Sequence, residues 1–522
     1  MKNRAITVAL RYHQATKHSE IGVRTSAHYL DWENRPYPFK IYEGLPSTPL
    51  PRDFHRPQAN ALSSVGGVKQ DAEGARFGVK ELAGLLFFSA GLTRRFRHGG
   101  EIHYMRAASA TGALYPIELY VVSGGVEGLR AGVYHFDPLD FSLVQLRAGD
   151  YRAELAGMSD ETVSSAPATV VFSSFAWKNA WKYQARSYRH WFWDGGVIAA
   201  NLLAVSASMG LDARVVAGFV DRSVNELLGL SDNKEAAVFL MPAGLGPASP
   251  EDGPPKIVDR IELRVRPLSR GETEYPEIWQ LHRASSLSDR NEVRDWVESR
   301  MVQHQNVDPS GAVFPVDLKE ADGSRLGKLG DVILQRGSTR RFARVPVGFS
   351  QLSSILRAST AGLPLDYLPA GESLIDVYLL ANAVEGLPTG SYIFNRNLKQ
   401  VEQLTEGQTR RMSAYLCLEQ PLFGDASAIL FLMTRLQEVL ERFGNRGYRV
   451  AQLEGGIVAG RIYISAYALG LGASGTTFYD DAVTEFFSPH AKDKSTMIAV
   501  GIGIPAYKAR PGKVLPQFPS EA

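Results

Sequence analysis

The stretch RSYRHWFWDGGVIAANLLAVSASMGLDA, residues 186–213, returns as RGYRVAQLEGGIVAGRIYISAYALGLGAS at residues 446–474. Arg186, Tyr188, Arg189, Gly195, Gly196, Gly210 and Leu211 reappear 260 positions later as Arg446, Tyr448, Arg449, Gly455, Gly456, Gly470 and Leu471. Each copy predicts a long buried helix, over 186–209 and 446–469. The Gly-Gly pair lowers helix propensity, so its presence in both copies points to close packing on one face.

Three further blocks repeat in the same order. VKELAGLLFFSAG (79–91) pairs with FSQLSSILRASTAG (349–362), PIELYVVSGGVEGLRAGVYHFDP (116–138) with LIDVYLLANAVEGLPTGSYIFNR (374–396), and GFVDRSVNELLGL (218–230) with TFYDDAVTEFFSP (477–489). A repeat this long is a duplicated domain and not a solenoid. Within each half the pattern predicts a first helix (79–90; 349–360), then a β-hairpin from IELYVV and VYHF and its counterpart. A strand follows at ATVVFSSF and SAILFLMT, then the long helix, then a last strand at AAVFLMPAG and TMIAVGIGI. The fold class is α+β. The boundaries read as an arm over 1–55, a first domain over 56–245, a linker with some secondary structure over 246–325 and a second domain over 326–522. The arm is Pro-rich and aromatic and is expected to lie extended over the core. In the linker, IELRVRPL reads as a strand and ASSLSDRNEVRDWVESR as an amphipathic helix.

At 522 residues the chain exceeds one ordinary core. Its 44% hydrophobic and 21% charged residues fit a soluble globular protein. A net charge of +2, without a basic stripe interleaved with aromatics, argues against nucleic-acid binding. The single cysteine, Cys417, excludes an intrachain disulfide and sits in a Leu-rich stretch, so it reads as a buried structural residue. The N-terminus lacks a secretory pattern and no apolar run is long enough for a bilayer, so a cytoplasmic protein without membrane contact is expected.

ASATGALYP (108–116), GVYHF (132–136), WKYQARSYR (181–189) and the Gly-pair helix ending in GLGA, in this order, resemble the nitroreductase superfamily. The opening YHQATKHSE and LDWENRPYPFKIY are similar to its SagB-type (thiazoline/oxazoline dehydrogenase-like) branch. The resemblance spans both halves and the arm. It implies an α+β dimer with FMN in the interface groove. One subunit supplies an Arg-x-Ser-x-Arg phosphate clamp and the loop after the GLGA helix. The other supplies a small-residue loop and a helix over the flavin.

The halves differ in which parts they keep. ILQRGSTRRF in the second half places Arg336, Ser338 and Arg340 as the clamp, since guanidinium pairs bidentately with phosphate and a hydroxyl adds a bond. A solvated basic turn is the bland alternative. The ungapped positions in the first half are Gly66, Val68 and Gln70, and the clamp is absent there. The first half keeps Ser109, Ala110, Thr111, Gly112, Ala113, Leu114, Tyr115 and Pro116, whose small residues let backbone approach a flavin. The second half reads LPAGESLI (368–375) instead. Lys182 and Tyr183 become Arg442 and Phe443. In azoline-oxidising relatives such a Lys-Tyr pair transfers protons, so Lys182 and Tyr183 are the candidate catalytic residues, against the reading of an exposed lysine beside a packed tyrosine.

On the clamp side the resemblance adds Asn395 toward the flavin pyrimidine, Ser474, Gly475, Thr476 and Thr477 toward its N5 edge, and Lys508 and Arg510 as a second phosphate-binding pair. The complementary losses predict two nitroreductase-like domains folded as an intrachain pseudo-dimer, with one competent FMN site and one degenerate site, so that a monomer suffices. Duplication permits this because fused copies need not stay identical. The expected function is FMN-dependent oxidation of a small or peptide-derived heterocycle. The alternatives are an NAD(P)H-dependent nitro or quinone reductase and a flavin-free partner protein. VGIGIP opens no helix and is no dinucleotide fingerprint. His98, His103 and His190 read as surface or hydrogen-bonded residues, no metal site is expected, and Asp480 and Asp481 read as helix caps.

Overall fold

The structure, a computed structural model, describes residues 2–70, 77–244, 256, 258–299, 311–316 and 327–507. Its centre is the pair of repeated helices, Ser187–Ser208 and Arg446–Ala468. Both are buried along nearly their whole length, as helices without a polar face must be. They meet at the Gly-Gly pairs. A Cβ on Gly196 would stand 2.6 Å from Ile457 N, and one on Gly456 would stand 2.7 Å from Phe192 O and Trp193 O. The two backbones therefore touch, one helix from each half.

Each half lays an antiparallel sheet beside this pair. In the first, the order is Ser47–Pro49, Ser142–Ala148, Gly132–Asp137, Ile117–Ser123, Ala168–Phe175, Glu235–Ala243. In the second it is Gly472–Thr476, Ser495–Gly503, Ala428–Thr434, Asp376–Ala381, Gly390–Asn395, Gln400–Glu406, Val313–Pro315. The five central strands correspond one to one. Both sheets are closed at an edge by a segment from outside the repeat, Ser47–Pro49 in one and Val313–Pro315 in the other. An uncovered edge would invite strand pairing with other chains. First helices Val79–Ala90 and Phe349–Ser359 lie where the apolar spacing puts them.

Several expectations need revision. The arm is not simply extended: Thr7–Ala15 and Glu20–Arg24 are helices. Asn3, through its side chain and backbone, bonds Phe443 O, Asn445 N and Arg446 N, which docks the start of the chain onto the second half. IELRVRPL forms no regular strand; it runs along the arm through a Tyr42–Val265 bridge. Helix Pro276–Ala284 was not foreseen, whereas Arg290–Val297 occupies the amphipathic stretch, capped by Asp289. A separate two-stranded ribbon, Leu92–His98 with Glu101–Arg106, was also not foreseen. Cys417 is buried, and burial pushes its thiol up. Among the described residues no helix is long and apolar enough to cross a membrane.

Candidate functional site

The clamp segment of the second half lies against the Arg106–Ala107 backbone that leads into the small-residue loop of the first. Arg336 caps helix Leu329–Gln335 and donates from Nε to Ala107 O at 2.9 Å and from Nη2 to Arg106 O at 3.0 Å. Arg94 answers from the first half, donating to Leu334 O and Gln335 O at 2.9 and 2.7 Å. Two of the three Arg336 nitrogens thus orient the loop, and Nη1 makes no hydrogen bond among the described residues. Ser338 Oγ stands 3.3 Å from Tyr463 Oη, which accepts the Gly475 N–H at 2.5 Å. Tyr463 therefore ties the clamp to the loop that follows the second long helix. Arg186 of the first half reaches the same loop, donating to Thr477 Oγ1 at 2.9 Å. Gly475 is exposed, whereas Ser474 is buried in its strand and Thr476 is bonded to Gln420 and to Thr477 O. Arg340 is exposed, with its backbone N–H on Tyr507 Oη.

The small-residue loop is held in an unusual backbone. Gly112, Ala113 and Tyr115 have φ of 63°, 54° and 49°, and the two non-glycine residues carry strain of about 1–3 kcal/mol each. Asp194, from the middle of the long helix, anchors it by accepting Thr111 N–H at 2.9 Å and Thr111 Oγ–H at 2.7 Å. Burial raises the Asp194 carboxyl to about 7. Ser109, Ala110 and Asp194 share a small cavity with Arg106 and Tyr115, and Leu114 is buried. Gly112 has no room for a side chain, because a Cβ there would meet Tyr183 Oη at 2.8 Å. This contact brings the Lys-Tyr motif onto the loop.

Lys182 and Tyr183 end helix Ala176–Tyr183. Half-burial lowers the Lys182 ammonium pKa, and the charges of Arg340 and Arg35 lower it further. Burial raises Tyr183, which stays protonated. His190 is neither a surface residue nor hydrogen-bonded: it is buried, with neither ring nitrogen partnered among the described residues, stacked on Trp193 at 4.7 Å and edge-on to Tyr183 at 4.4 Å. Burial lowers its basicity, so it is neutral. His103 stacks on Phe96. The arm closes over the motif through Trp32, edge-on to Trp181 at 5.3 Å, and a Trp181 Nε1 bond to Asp31 O.

Asn395 is not brought to this cluster. It lies four strands from Gly472–Thr476, and its side chain holds its own hairpin, donating to Glu402 and accepting Leu398 N–H. Lys508 and Arg510 lie outside the described residues. Asp480 is not a cap. Tyr479 occupies the N-cap position, and Asp480 accepts Arg186 at 2.9 Å, Arg189 at 2.7 Å and His18 N–H at 2.8 Å. Asp221 takes Arg446 and Arg449 in the same way, both at 2.6 Å. Burial pushes both carboxyls up, and their two guanidinium partners outweigh it and hold them below the ordinary value. Each half thereby grips the other's long helix. Asp481, itself exposed, pairs instead with Lys17.

The opposite groove is built differently. Helix Arg290–Val297 puts Trp296 against Tyr367 and Phe443, with its Nε1 on Phe443 O. Arg442, at the Lys182 position, bonds Ser299 O. Val215 pairs with Leu365, and the Ala217 and Gly218 N–H groups donate to the Asp366 carboxylate at 2.9 and 2.7 Å. Those amides match Thr476 and Thr477 in the repeat, so the chain fills this groove with its own residues. No cation stands at the ungapped clamp positions Gly66, Val68 and Gln70. Asp194, Glu454, Tyr463 and Asp366 were missed from sequence. For the first two a signal existed: an acidic residue directly precedes the Gly-Gly pair in both copies, and Glu454 likewise accepts Leu374 N–H and Ser373 Oγ–H.

The model of the nitroreductase family matches residues 86–245 and 333–504, one stretch in each half. MJ1384 of Methanocaldococcus jannaschii, whose name places it among the nitroreductases, is 27% identical over 168 residues, 32% of this chain and 80% of its own length. The microcin B17-processing protein McbC of Escherichia coli is 31% identical over 137 residues, 25% of this chain and 50% of its own length. A crystal structure carrying the nitroreductase name, from Anabaena variabilis, superposes with a TM-score of 0.74 over 95% of this chain and 99% of its own, at 24% identity, which bears on fold. With one match in each half and more than half of the chain covered, this chain belongs to the nitroreductase family, its two family domains packed together as an intrachain pseudo-dimer.

Proposed function

We propose that the chain is an FMN-dependent oxidoreductase with one flavin site between its halves, acting as a dehydrogenase on a small or peptide-derived heterocycle. The observation that carries this reading is the seating of Arg336 from the second half on the Arg106–Ala107 carbonyls of the first. The residues present suit the cofactor. Arg336 Nη1, Ser338 Oγ and the exposed Arg340 offer cationic and hydroxyl donors for a phosphate. Gly112 and the exposed Gly475 allow backbone to approach a planar ring. Ser109, Ala110, Thr111, Ala113 and Leu114 form one wall, and Ser474, Thr476 and Thr477 lie in the segment opposite. Bound FMN would accept two electrons in such a site.

The chain's own residues handle binding and protons. Depressed basicity gives Lys182 a larger neutral fraction near pH 7 than an ordinary lysine, so its Nζ can take a proton from the carbon or nitrogen being oxidised. Tyr183, kept protonated by burial, can donate a hydrogen bond to a substrate atom beside it. Trp32 and Trp181 cover the mouth and limit water. Similarity to McbC, a microcin B17-processing protein by name, supports the reading of a peptide-derived substrate. Similarity to MJ1384 favours a second reading, NAD(P)H-driven reduction of nitro compounds or quinones, in which Lys182 is incidental.

Lys182→Ala separates them. The dehydrogenase reading expects oxidation of a thiazoline-bearing peptide to fall about 10²–10⁴-fold, with the flavin spectrum and its amount unchanged. Nitroaromatic turnover with NADPH that is undiminished in Lys182→Ala, together with no peptide oxidation by the wild type, would establish the second reading instead.

A further inference from the structure

The ribbon Leu92–His98 and Glu101–Arg106 belongs to neither sheet. It turns at Gly99 and Gly100, with φ of 60° and 84°, as a tight hairpin requires. Its base is fixed. Arg94 bonds Leu334 O and Gln335 O beside the clamp, and the Arg106 and Ala107 carbonyls receive Arg336. Tyr104 packs edge-on against Phe39 of the arm at 5.0 Å, and Arg35 lies 3.8 Å from Glu101. The ribbon thus borders the mouth where Lys182 sits.

Its outer part is open. Among the described residues each strand pairs only with the other, so both outer edges present backbone N–H and C=O groups of the kind a further strand can pair with. Arg95 and Arg97 share one face, opposite Tyr104 and Ile102, and both arginines are exposed without an acidic partner among the described residues. Phe96 and Ile102 are exposed apolar residues. Glu101 is the one acidic residue in residues 92–106, against Arg94, Arg95, Arg97 and Arg106. The chain as a whole is nearly neutral, so this cationic edge is local.

We propose that the ribbon is a docking edge for an extended acidic peptide segment, which pairs as an added strand while its carboxylates meet Arg95 and Arg97, and which leads toward the Lys182 mouth. Open strand edges bind peptides through main-chain bonds, and flanking side chains set preference. The charge on this edge selects acidic sequence. The proposal deepens the peptide-substrate reading above and rests on it only for where the segment leads.

The test is fluorescence anisotropy with a labelled peptide of alternating Glu and Val, and its Lys-Val twin, on the flavin-loaded protein. The Glu-Val peptide is expected to bind, and the Lys-Val twin not. Binding should weaken about ten-fold between low and high salt and about ten-fold in Arg95→Glu/Arg97→Glu. That variant should keep its flavin content and melting temperature, since both residues are exposed. Equal binding of the two peptides, wild-type binding by the double variant, or displacement of the peptide by a short oligothymidylate or by NADPH at equal concentration would overturn the proposal. Lys182→Ala keeps the two readings apart. Retained peptide binding with unchanged turnover in Lys182→Ala would remove the dehydrogenase reading and leave the docking edge standing.

Discussion

Gly456→Val is expected to leave no stably folded protein at 37 °C. A Cβ at Gly456 falls 2.7–2.8 Å from Phe192 O, Trp193 O and Trp193 Cα, all backbone of the opposite half's helix. Real Cβ atoms do not approach that closely, and backbone cannot step aside as a side chain tip can. Relief therefore requires the two long helices to separate, which loosens the packing at the centre of the molecule. Overpacking a well-filled core costs about 1–3 kcal/mol, and more where main chain must move. Here the main chain of both halves must part, so the loss is expected to exceed that range and to reach the lower end of a typical stability of about 5–15 kcal/mol. The control is Gly455→Ala. There the added Cβ meets Met497 Cβ at 3.0 Å and no opposing main-chain atom of the other half, so a shift of a few tenths of an ångström within one half relieves it. Thermal melts followed by circular dichroism should show a modest loss for Gly455→Ala and no cooperative transition for Gly456→Val. A Gly456→Val melt within a few degrees of wild type would mean that the helices do not meet as described.

Removing either bridging carboxylate should have the next largest effect. Asp221→Ala leaves Arg446 and Arg449 buried without a counter-charge, and Asp480→Ala does the same to Arg186 and Arg189. Breaking a buried pair this way costs about 3–5 kcal/mol, mainly because the remaining charge is stranded. Urea unfolding should show a loss of this size for both. The two variants should then part company. Arg186 also holds Thr477 Oγ1, in the segment beside Tyr463 and the clamp, whereas Arg446 holds Ala217 O in the groove that the chain itself fills. Asp480→Ala should therefore also weaken flavin retention, and Asp221→Ala should not. Equal flavin loss in both variants would contradict the assignment of the two grooves.

Much of this arrangement is readable in the sequence, and the reasons are local. The 260-residue offset locates the paired helices because their matched residues are packing residues, and the Gly-Gly pair can mean little else than a close approach. Arg336 and the Ser109–Pro116 loop stand out as candidates because the phosphate and ring contacts proposed for them demand particular residue types at short spacing. What stayed hidden depends on residues far apart in the chain. Asp480 at the start of a short helix reads as a cap, and only the fold sets it between Arg186 and Arg189, which displaces that role. Tyr463 sits in an apolar helix and carries no motif; its hydroxyl matters because Ser338 and Gly475 converge on it. The ribbon lacks the alternation of a half-buried strand, since polar and apolar residues mix on both of its faces, and its Gly99-Gly100 turn is the one signal. Asn395 fails for the opposite reason: a resemblance in position does not say whether the side chain turns to its own hairpin. The filling of the second groove arises from the Pro364–Asp366 segment and Trp296, neither of which has a counterpart in the first half's repeat.

We propose a single flavin site for the two family domains, because one groove joins the clamp segment to the backbone leading into the small-residue loop while the other is occupied by Asp366, Leu365 and Trp296. Its most direct test is the amount of FMN released per chain from protein saturated with the cofactor and freed of excess. About one FMN for each chain is the expected result. Two per chain would contradict the closed second groove, and none would contradict the composite site itself.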